Sequence, residues 1–193
     1  MNIGIYIYDQ AEVLDFSGSF GVLGVANRLG NLAWNVWVAA EEERSVEARR
    51  GFPVMPHYSI QNVPELDVLI VVGGVHSTEL GKKAVIDWIR KTAKETQITG
   101  SVFTGAFLLA EAGLLDGLEV TTHWEDILDL QKNYPRIQVR EGIRWIEQGQ
   151  LIAAAGISAR IDMSLELLSK FAGVELAAHT ARKIKCTLNR ITI

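Results

Sequence analysis

The chain has 193 residues, of which 48% are hydrophobic and 22% charged, and its formal net charge is -4. This length suits one well-buried core, so we expect a single domain over residues 1–193. The mildly acidic balance gives no electrostatic reason to expect nucleic acid or an anionic membrane as partner. One cysteine, Cys186, cannot form an internal disulfide, which favours a cytoplasmic, reducing compartment.

Strand and helix signals alternate along the chain. The apolar run at 68–72 ends in two glycines, as expected for a parallel strand buried on both faces. The predicted strands are 3–8, 34–40, 68–72, 98–102, 119–122, 137–139, 143–146 and 151–154. The predicted helices are 16–29, 84–95, 104–112, 124–133, 159–171 with Ser158 as N-cap, and 174–187. This alternation predicts an α/β fold, a mainly parallel sheet with helices on both faces.

The turn after the predicted strand 98–102 is the first candidate site, with Phe103 at its tip. Ligands bind outside the carboxyl ends of the strands in an open parallel sheet. A sharp turn there often lifts a nucleophile to the start of a helix, whose N–H groups hold an oxyanion. Gly105 permits the close backbone approach of a tight bend. The alternative is an ordinary turn packed by Phe103 and Phe107.

Asp15 is the second candidate, because it follows the first strand and opens a helix. Its carboxylate either stabilises the start of that helix or faces the cleft as a general acid/base or water orienter. Glu12 lies close in sequence and competes for the same role.

His123 is the third candidate, at the end of the short strand before a tryptophan. It is a base, a ligand-binding donor, or a packed and hydrogen-bonded residue. His76 follows a Gly-Gly turn and should face the cleft, whereas His57 is expected in a loop and His179 on the surface of the last helix. The histidines lack metal-ligand spacing, so we expect no metal and no cofactor.

Three glycines of the first helix, Gly18, Gly21 and Gly24, are spaced three apart. This spacing is a poor dinucleotide fingerprint and instead favours close packing against a neighbouring element or another subunit. The acidic run at 41–44 is expected to be a solvated turn. Cys186 is placed in the last helix, as an incidental or buried thiol.

Five segments in order resemble the ThiJ/PfpI family, within the class I glutamine-amidotransferase-like superfamily. They are 13–18 (VLDFSG), 67–74 (DVLIVVGG), 101–117 (SVFTGAFLLAEAGLLDG), 121–124 (TTHW) and 154–162 (AAGISARID). The chain is most similar to the isocyanide hydratase-like branch and to the sensor domains of AraC-type regulators. Those regulators continue into a helix-turn-helix module, and since this chain stops at Ile193 we expect no DNA-binding module.

The resemblance implies a flavodoxin-like three-layer sandwich that forms a homodimer. It places the family's nucleophilic cysteine on Phe103 and the partnering carboxylate on Asp15. The expected ligand pocket consists of Gly73, Gly74, Thr104 and His123. Arg160 is a second departure, because a small residue is common at that position, and we expect its charge near the rim of the site.

A phenyl ring cannot attack a carbonyl, an isonitrile or a thioester, so the thiol chemistry of the family does not transfer directly. The first hypothesis is a non-catalytic protein that binds a small molecule or acts as a regulatory dimer. The second is a hydratase or hydrolase in which Asp15 activates water and backbone N–H groups hold the developing charge. The third is a regulatory protein whose dimer or apolar cleft binds another protein.

Overall fold

A seven-stranded sheet forms the centre of the protein. The computed structural model describes residues 1–156 and 159–187. The sheet contains β1 (Asn2–Tyr6), β2 (Asn35–Ala40), β5 (Tyr58–Ser59), β6 (Val68–Val71), β7 (Ile98–Val102), β10 (Trp145–Gln148) and β11 (Leu151–Ala154). Two small sheets lie outside it, a hairpin of β3 (Val46–Ala48) and β4 (Phe52–Val54) and a parallel pair of β8 (Glu119–Val120) and β9 (Gln138–Val139).

The helices of the described chain lie between and after these strands. They are α1 (Val13–Gly30), α2 (Ser77–Leu80), α3 (Lys83–Glu95), α4 (Gly105–Glu111), α5 (Ile127–Asn133), α6 (Ala159–Ala172) and α7 (Val174–Lys183), with 3-10 turns at Arg49–Gly51 and Trp124–Asp126. No helix among them is long and apolar enough to cross a membrane.

The strand order β10-β11-β7-β6-β1-β2-β5 explains why helices cover both faces of the sheet. All neighbours in the large sheet are parallel except the edge pair β10 and β11. The chain moves one way from β1 to β2 and the other way from β6 to β7. Because parallel crossovers are right-handed, the two connections place α1 and α3 on opposite faces. The helices α1, α6 and α7 pack together, and α3 packs on α4. The predicted α/β sandwich is confirmed.

The two central strands β6 and β7 are buried along their whole length. Continuous apolar burial is expected of parallel strands covered on both faces. The predicted strand 68–72 and the strand 98–102 are therefore confirmed, the former one residue shorter than predicted.

Several predicted boundaries were wrong. The strand predicted at 143–146 is shifted to Trp145–Gln148, and the strand at 119–122 is only Glu119–Val120. The last helix ends at Lys183, where Lys185 adopts a left-handed φ of 60°, so Cys186 lies beyond the helix and is partly exposed. Ser158, the predicted N-cap, lies outside the described residues.

The elements that the sequence did not reveal are short. β3, β4 and β5 have only two or three residues, and α2 has four. Such lengths give no measurable periodicity. The acidic run at 41–44 is largely exposed, as predicted, although Glu41 forms an ion pair of 2.8 Å with Lys82 of the loop before α3.

β1 and β6 are parallel neighbours, but the strands that follow them are added on opposite sides of this pair. A ligand site in an open α/β sheet forms at such a switch point. Above the carboxyl ends of these strands, the loop after β1 and the loop after β6 are joined. The Glu12 amide donates to the Gly73 carbonyl at 2.8 Å, and Ala11 pairs with Gly74 in an isolated bridge. The turn after the neighbouring β7, with Phe103, opens onto the same edge.

We predict that Gly105→Ala destabilises the protein strongly. A Cβ at this position would lie 2.2 Å from the carbonyl oxygen of Val71, a backbone atom that cannot move aside. Such overpacking costs roughly 1–3 kcal/mol or more of the free energy of unfolding. Urea denaturation measures the effect. The control is Gly81→Ala, whose Cβ would lie at an ordinary contact distance of 3.5 Å from the Thr78 carbonyl oxygen. Equal midpoints for the two variants would contradict this account of the turn.

Candidate functional site

The backbone at Phe103 forms a strained turn between β7 and α4. Its φ is 55°, in the left-handed region that costs a non-glycine residue roughly 1–2 kcal/mol. Two hydrogen bonds hold it there. The Phe103 amide donates to the Ala154 carbonyl at 3.0 Å, and its carbonyl accepts from the Thr122 hydroxyl at 2.9 Å. The turn therefore has the shape of a nucleophile elbow, with a phenyl ring at its tip.

The Phe103 ring lies against the Gly73 peptide and is half-buried. A Cβ on Gly73 would lie 2.6 Å from ring atom Cδ1, so only glycine permits this approach. On its other side, the ring packs at a tilt against the His123 imidazole, with centroids 4.4 Å apart. The ring thus occupies the space between the Gly73 turn and His123 and does not turn aside to leave an opening there.

Asp15 reaches the same Gly73 peptide from α1. Its side chain is fully buried, and Oδ2 accepts a hydrogen bond of 3.2 Å from the Gly73 amide, whereas Oδ1 has no hydrogen-bond partner. Burial raises the pKa of Asp15 to about 7, against the lowering effects of the Arg160 charge and the Gly73 N–H. The carboxylate is directed into the interior of the site and does not cap its own helix.

Thr104 joins the elbow to the second glycine of the turn. Its buried hydroxyl accepts from the Gly74 amide at 2.8 Å and donates to the Gly74 carbonyl at 2.9 Å. Gly74 has a φ of 153°, and a Cβ there would meet the Gln10 carbonyl oxygen at 2.3 Å. Gly73, Gly74 and Thr104, which the resemblance assigns to a ligand pocket, therefore lie together and form a packed wall.

A buried polar group that was not predicted from the sequence lies behind this wall. Tyr8 follows β1 and places its hydroxyl beside Thr104. Burial, Glu79 and Asp15 all raise the pKa of Tyr8, so its hydroxyl stays protonated. Glu79 is itself buried, accepts a hydrogen bond from Tyr6 and pairs with Lys82 at 2.9 Å. The position of Tyr8 directly after β1 was a usable signal, whereas nothing local marks Glu79.

His123 borders a cavity beside the elbow. Its side chain is 21% exposed, and Nδ1 lies 3.5 Å from carboxylate oxygens of both Glu125 and Asp126. A cavity of about 260 Å³ adjoins it, with Thr122, Trp124 and Arg144 among the lining residues. Because Thr122 also binds the Phe103 carbonyl, this cavity lies directly next to the turn.

The other histidines differ in their relation to the site. His76 stacks on Phe107 with centroids 4.3 Å apart, and its Nδ1 lies 3.4 Å from the Gly74 carbonyl, so it borders the turn as predicted. His57 accepts a hydrogen bond of 3.1 Å from the Val38 amide and has a structural role. The prediction that His179 is exposed is confirmed.

Arg160 is not at the rim, contrary to expectation. Its side chain is only 4% exposed and lies across α1 beside Gly18, where a Cβ would be 2.0 Å from Nε. The missing side chain of Gly18 makes a trough for the guanidinium, which the sequence could not show. Glu12 does not share the fully buried position of Asp15, because its side chain is 23% exposed and its carboxylate pairs loosely with Arg49 at 3.8 Å.

Comparison with known proteins extends these observations. The chain is 32% identical over 172 residues to the HTH-type transcriptional regulator CdhR of Pseudomonas aeruginosa, covering 89% of this chain and 51% of the regulator. It is 32% identical over 179 residues to the isonitrile hydratase of Pseudomonas putida, covering 92% and 75% of the two chains. The chain thus spans about half the length of the regulator it matches.

A solved structure shows the same fold. The ThiJ/PfpI family protein from Pseudomonas syringae superimposes with a TM-score of 0.86 at 20% identity, over 98% of this chain and 76% of the other. The model of the DJ-1/PfpI family matches residues 1–170, which includes every strand of the sheet and the Phe103 turn. The chain belongs to the DJ-1/PfpI family.

Proposed function

We propose that this chain is a non-catalytic member of the DJ-1/PfpI family that acts as a small-molecule-binding or regulatory dimer. The resemblance of the motif at 101–117 places the family's nucleophile at Phe103. A phenyl ring has no lone pair or acidic proton to offer a substrate, so covalent catalysis is lost at that position.

The position of the ring carries the proposal. Phe103 packs between the Gly73 turn and His123, and Asp15 behind that turn has no exposed surface. A general base must come within hydrogen-bond reach of the proton that it removes. A substrate held above the ring has no such access to the Asp15 carboxylate, which supports binding without turnover.

The curated relatives support a regulatory role and the binding of a small molecule. One is named as a transcriptional regulator and another as an isonitrile hydratase. A chain with the fold of both and an apolar residue at the elbow is closer in chemistry to a sensor than to an enzyme. In such a sensor the cavity beside His123, Trp124 and Arg144 is the space that would receive a small molecule.

The outer face of α1 is the surface on which we place the dimer contact. Leu14 and Phe20 are 47% and 37% exposed, and Gly21 and Gly24 are exposed beside them. A Cβ on either glycine would meet nothing within 4 Å, so the fold of one chain does not require glycine there. Each glycine lowers helix stability by about 1 kcal/mol relative to alanine. Two helices can come close together where they carry glycine, so contact with a second copy explains both glycines.

A second candidate function is a hydratase or hydrolase without a thiol. The pKa of Asp15, raised to about 7 by its burial, favours it, because a general acid/base works best near the operating pH. This reading needs a motion that brings substrate and water to Asp15.

We expect no turnover of isonitriles, glyoxals or peptides by the unmodified protein above the uncatalysed rate. The physical reason is the absence of a nucleophile and the burial of Asp15. Product formation at high protein concentration is the measurement, with Asp15→Asn and Phe103→Cys assayed beside it.

Robust turnover by the unmodified protein would contradict the proposal. Turnover that vanishes in Asp15→Asn would instead establish the second candidate. Activity that appears only in Phe103→Cys would support the proposal, because it would show that the elbow lacks only its nucleophile.

The buried Asp15 predicts a specific pH dependence of stability. Its folded-state pKa of about 7 lies above the ordinary value of 3.8, so its stabilising contribution is complete below pH 3.8 and is lost as the pH rises through 7. Between pH 5 and pH 8 this loss amounts to about 3 kcal/mol of unfolding free energy.

Asp15→Asn should lack this loss, so its stability relative to the unmodified protein should improve from pH 5 to pH 8. Urea denaturation at both pH values measures the difference. Asp129→Asn, at an exposed position on α5, is the control and should follow the unmodified protein. Parallel pH profiles for Asp15→Asn and the unmodified protein would show that Asp15 titrates normally.

We expect Gly21→Glu to separate the dimer without unfolding the chain. Nothing in the same chain lies within 4 Å of the new Cβ, whereas a carboxylate in a close helix contact is strongly unfavourable. Light scattering after gel filtration gives the mass of the assembly. Gly81→Glu, at an exposed position after α2, should remain dimeric. Equal masses for both variants would exclude α1 as the contact.

A further inference from the structure

Two buried ionisable side chains near the site, Arg160 and Asp15, have atoms without a hydrogen-bond partner. Arg160 is 4% exposed and Asp15 is 0% exposed. Nε and Nη1 of Arg160 and Oδ1 of Asp15 are all buried and unpartnered. The two groups interact electrostatically, since the Arg160 charge lowers the pKa of Asp15, but they do not form a hydrogen bond with each other.

This arrangement is unusual, because buried polar groups are nearly always satisfied by the protein, by water or by an ion. A buried guanidinium is particularly costly without an acceptor. The other charges near it do not supply one. The Glu12 charge acts on Arg160, but its carboxylate forms its ion pair with Arg49. Tyr8, which follows β1, is a donor that stays protonated. The Gly73 amide already uses Asp15 Oδ2.

The position of Arg160 is fixed by α1. A Cβ on Gly18 would lie 2.0 Å from Nε and 2.7 Å from Nη2, so glycine is required for the guanidinium to lie in its trough. Arg160 and Gly18 therefore form a matched pair that holds the unpartnered N–H groups near Asp15.

We propose that Arg160 and protonated Asp15 together bind a small monovalent anion, of the size of chloride or formate. The Nε and Nη1 groups of Arg160 donate from one side, and the carboxylic O–H of Asp15 donates from the other. The near-complete burial of both groups limits the ligand to a few atoms. This inference rests on the proposed function, because it gives the non-catalytic protein an interior anion position in addition to the cavity beside His123.

Anion binding is coupled to proton uptake. An anion next to Asp15 favours the protonated acid, and the pKa of Asp15 of about 7 places the change near neutral pH. Affinity should therefore be constant at low pH and decrease by up to tenfold for each pH unit above 7. Anion binding without this pH dependence would show that Asp15 does not donate a hydrogen bond to the anion, and would overturn the proposal.

The test is a titration of the full chain with sodium formate. Sodium formate replaces an equal amount of sodium gluconate at each step, so the ionic strength stays constant. Gluconate is too large for the enclosed position. We expect a saturable rise in melting temperature, together with calorimetric binding at pH 6 that weakens by about tenfold or more by pH 8. No saturable effect of formate or of chloride at any pH between 5 and 8 would overturn the proposal, and would mean that water alone bridges the groups.

Three variants localise the site. Arg160→Gln should lose formate binding, whereas Arg28→Gln, which removes the same charge from an exposed position on α1, should retain it. Gly18→Ala keeps both charged groups but displaces the guanidinium, so its affinity should fall at least tenfold. Retention of full affinity in Arg160→Gln would overturn the proposal. If that variant does not fold, the titration of the unmodified protein decides by itself.

The outcomes for the anion and for the proposed function are separable. Turnover assays test whether the site is catalytic, and the formate titration tests what it binds. A protein that is inert in every turnover assay but shows no saturable anion effect would overturn only the anion proposal. Turnover of a substrate by a protein that binds formate would overturn only the non-catalytic function.

Discussion

The Gly73 peptide is the contact on which the rest of the site depends. Its N–H donates to Asp15, its carbonyl accepts from the Glu12 amide, and the Phe103 ring packs against its α-carbon. Three separate segments of the chain converge on this one residue, at the position where the strand order of the sheet reverses. Any side chain at position 73 would push them apart, since its Cβ would also lie 2.6 Å from the Thr104 amide.

This convergence explains how the family scaffold accommodates a phenyl ring at the tip of the turn. The left-handed turn at Phe103 is maintained by backbone bonds to β11 and by the Thr122 hydroxyl, which do not depend on the side chain at the tip. The turn can therefore carry a phenyl ring at its tip without a change in its backbone. The ring occupies the space in front of the Gly73 turn, and the Asp15 carboxyl group behind the turn is buried.

The sequence predicted the features that depend on local pattern. The apolar run at 68–72 predicts a buried strand. Gly105, two residues after Phe103, indicates the tight turn. It did not predict that Arg160 is buried, because arginine is normally exposed and its trough at Gly18 comes from a distant helix. Glu79 was missed for the same reason, since its partner Tyr6 lies 73 residues away in the chain.

We propose that the Phe103 ring closes the site in front of Asp15. Carbodiimide-driven coupling of carboxyl groups to a small amine, followed by peptide mass spectrometry, measures access to each acid directly. The account predicts that Asp15 stays unmodified while the exposed Asp129 reacts, and that Phe103→Ala makes Asp15 reactive. Modification of Asp15 in the unmodified protein at a rate similar to that of Asp129 would contradict it.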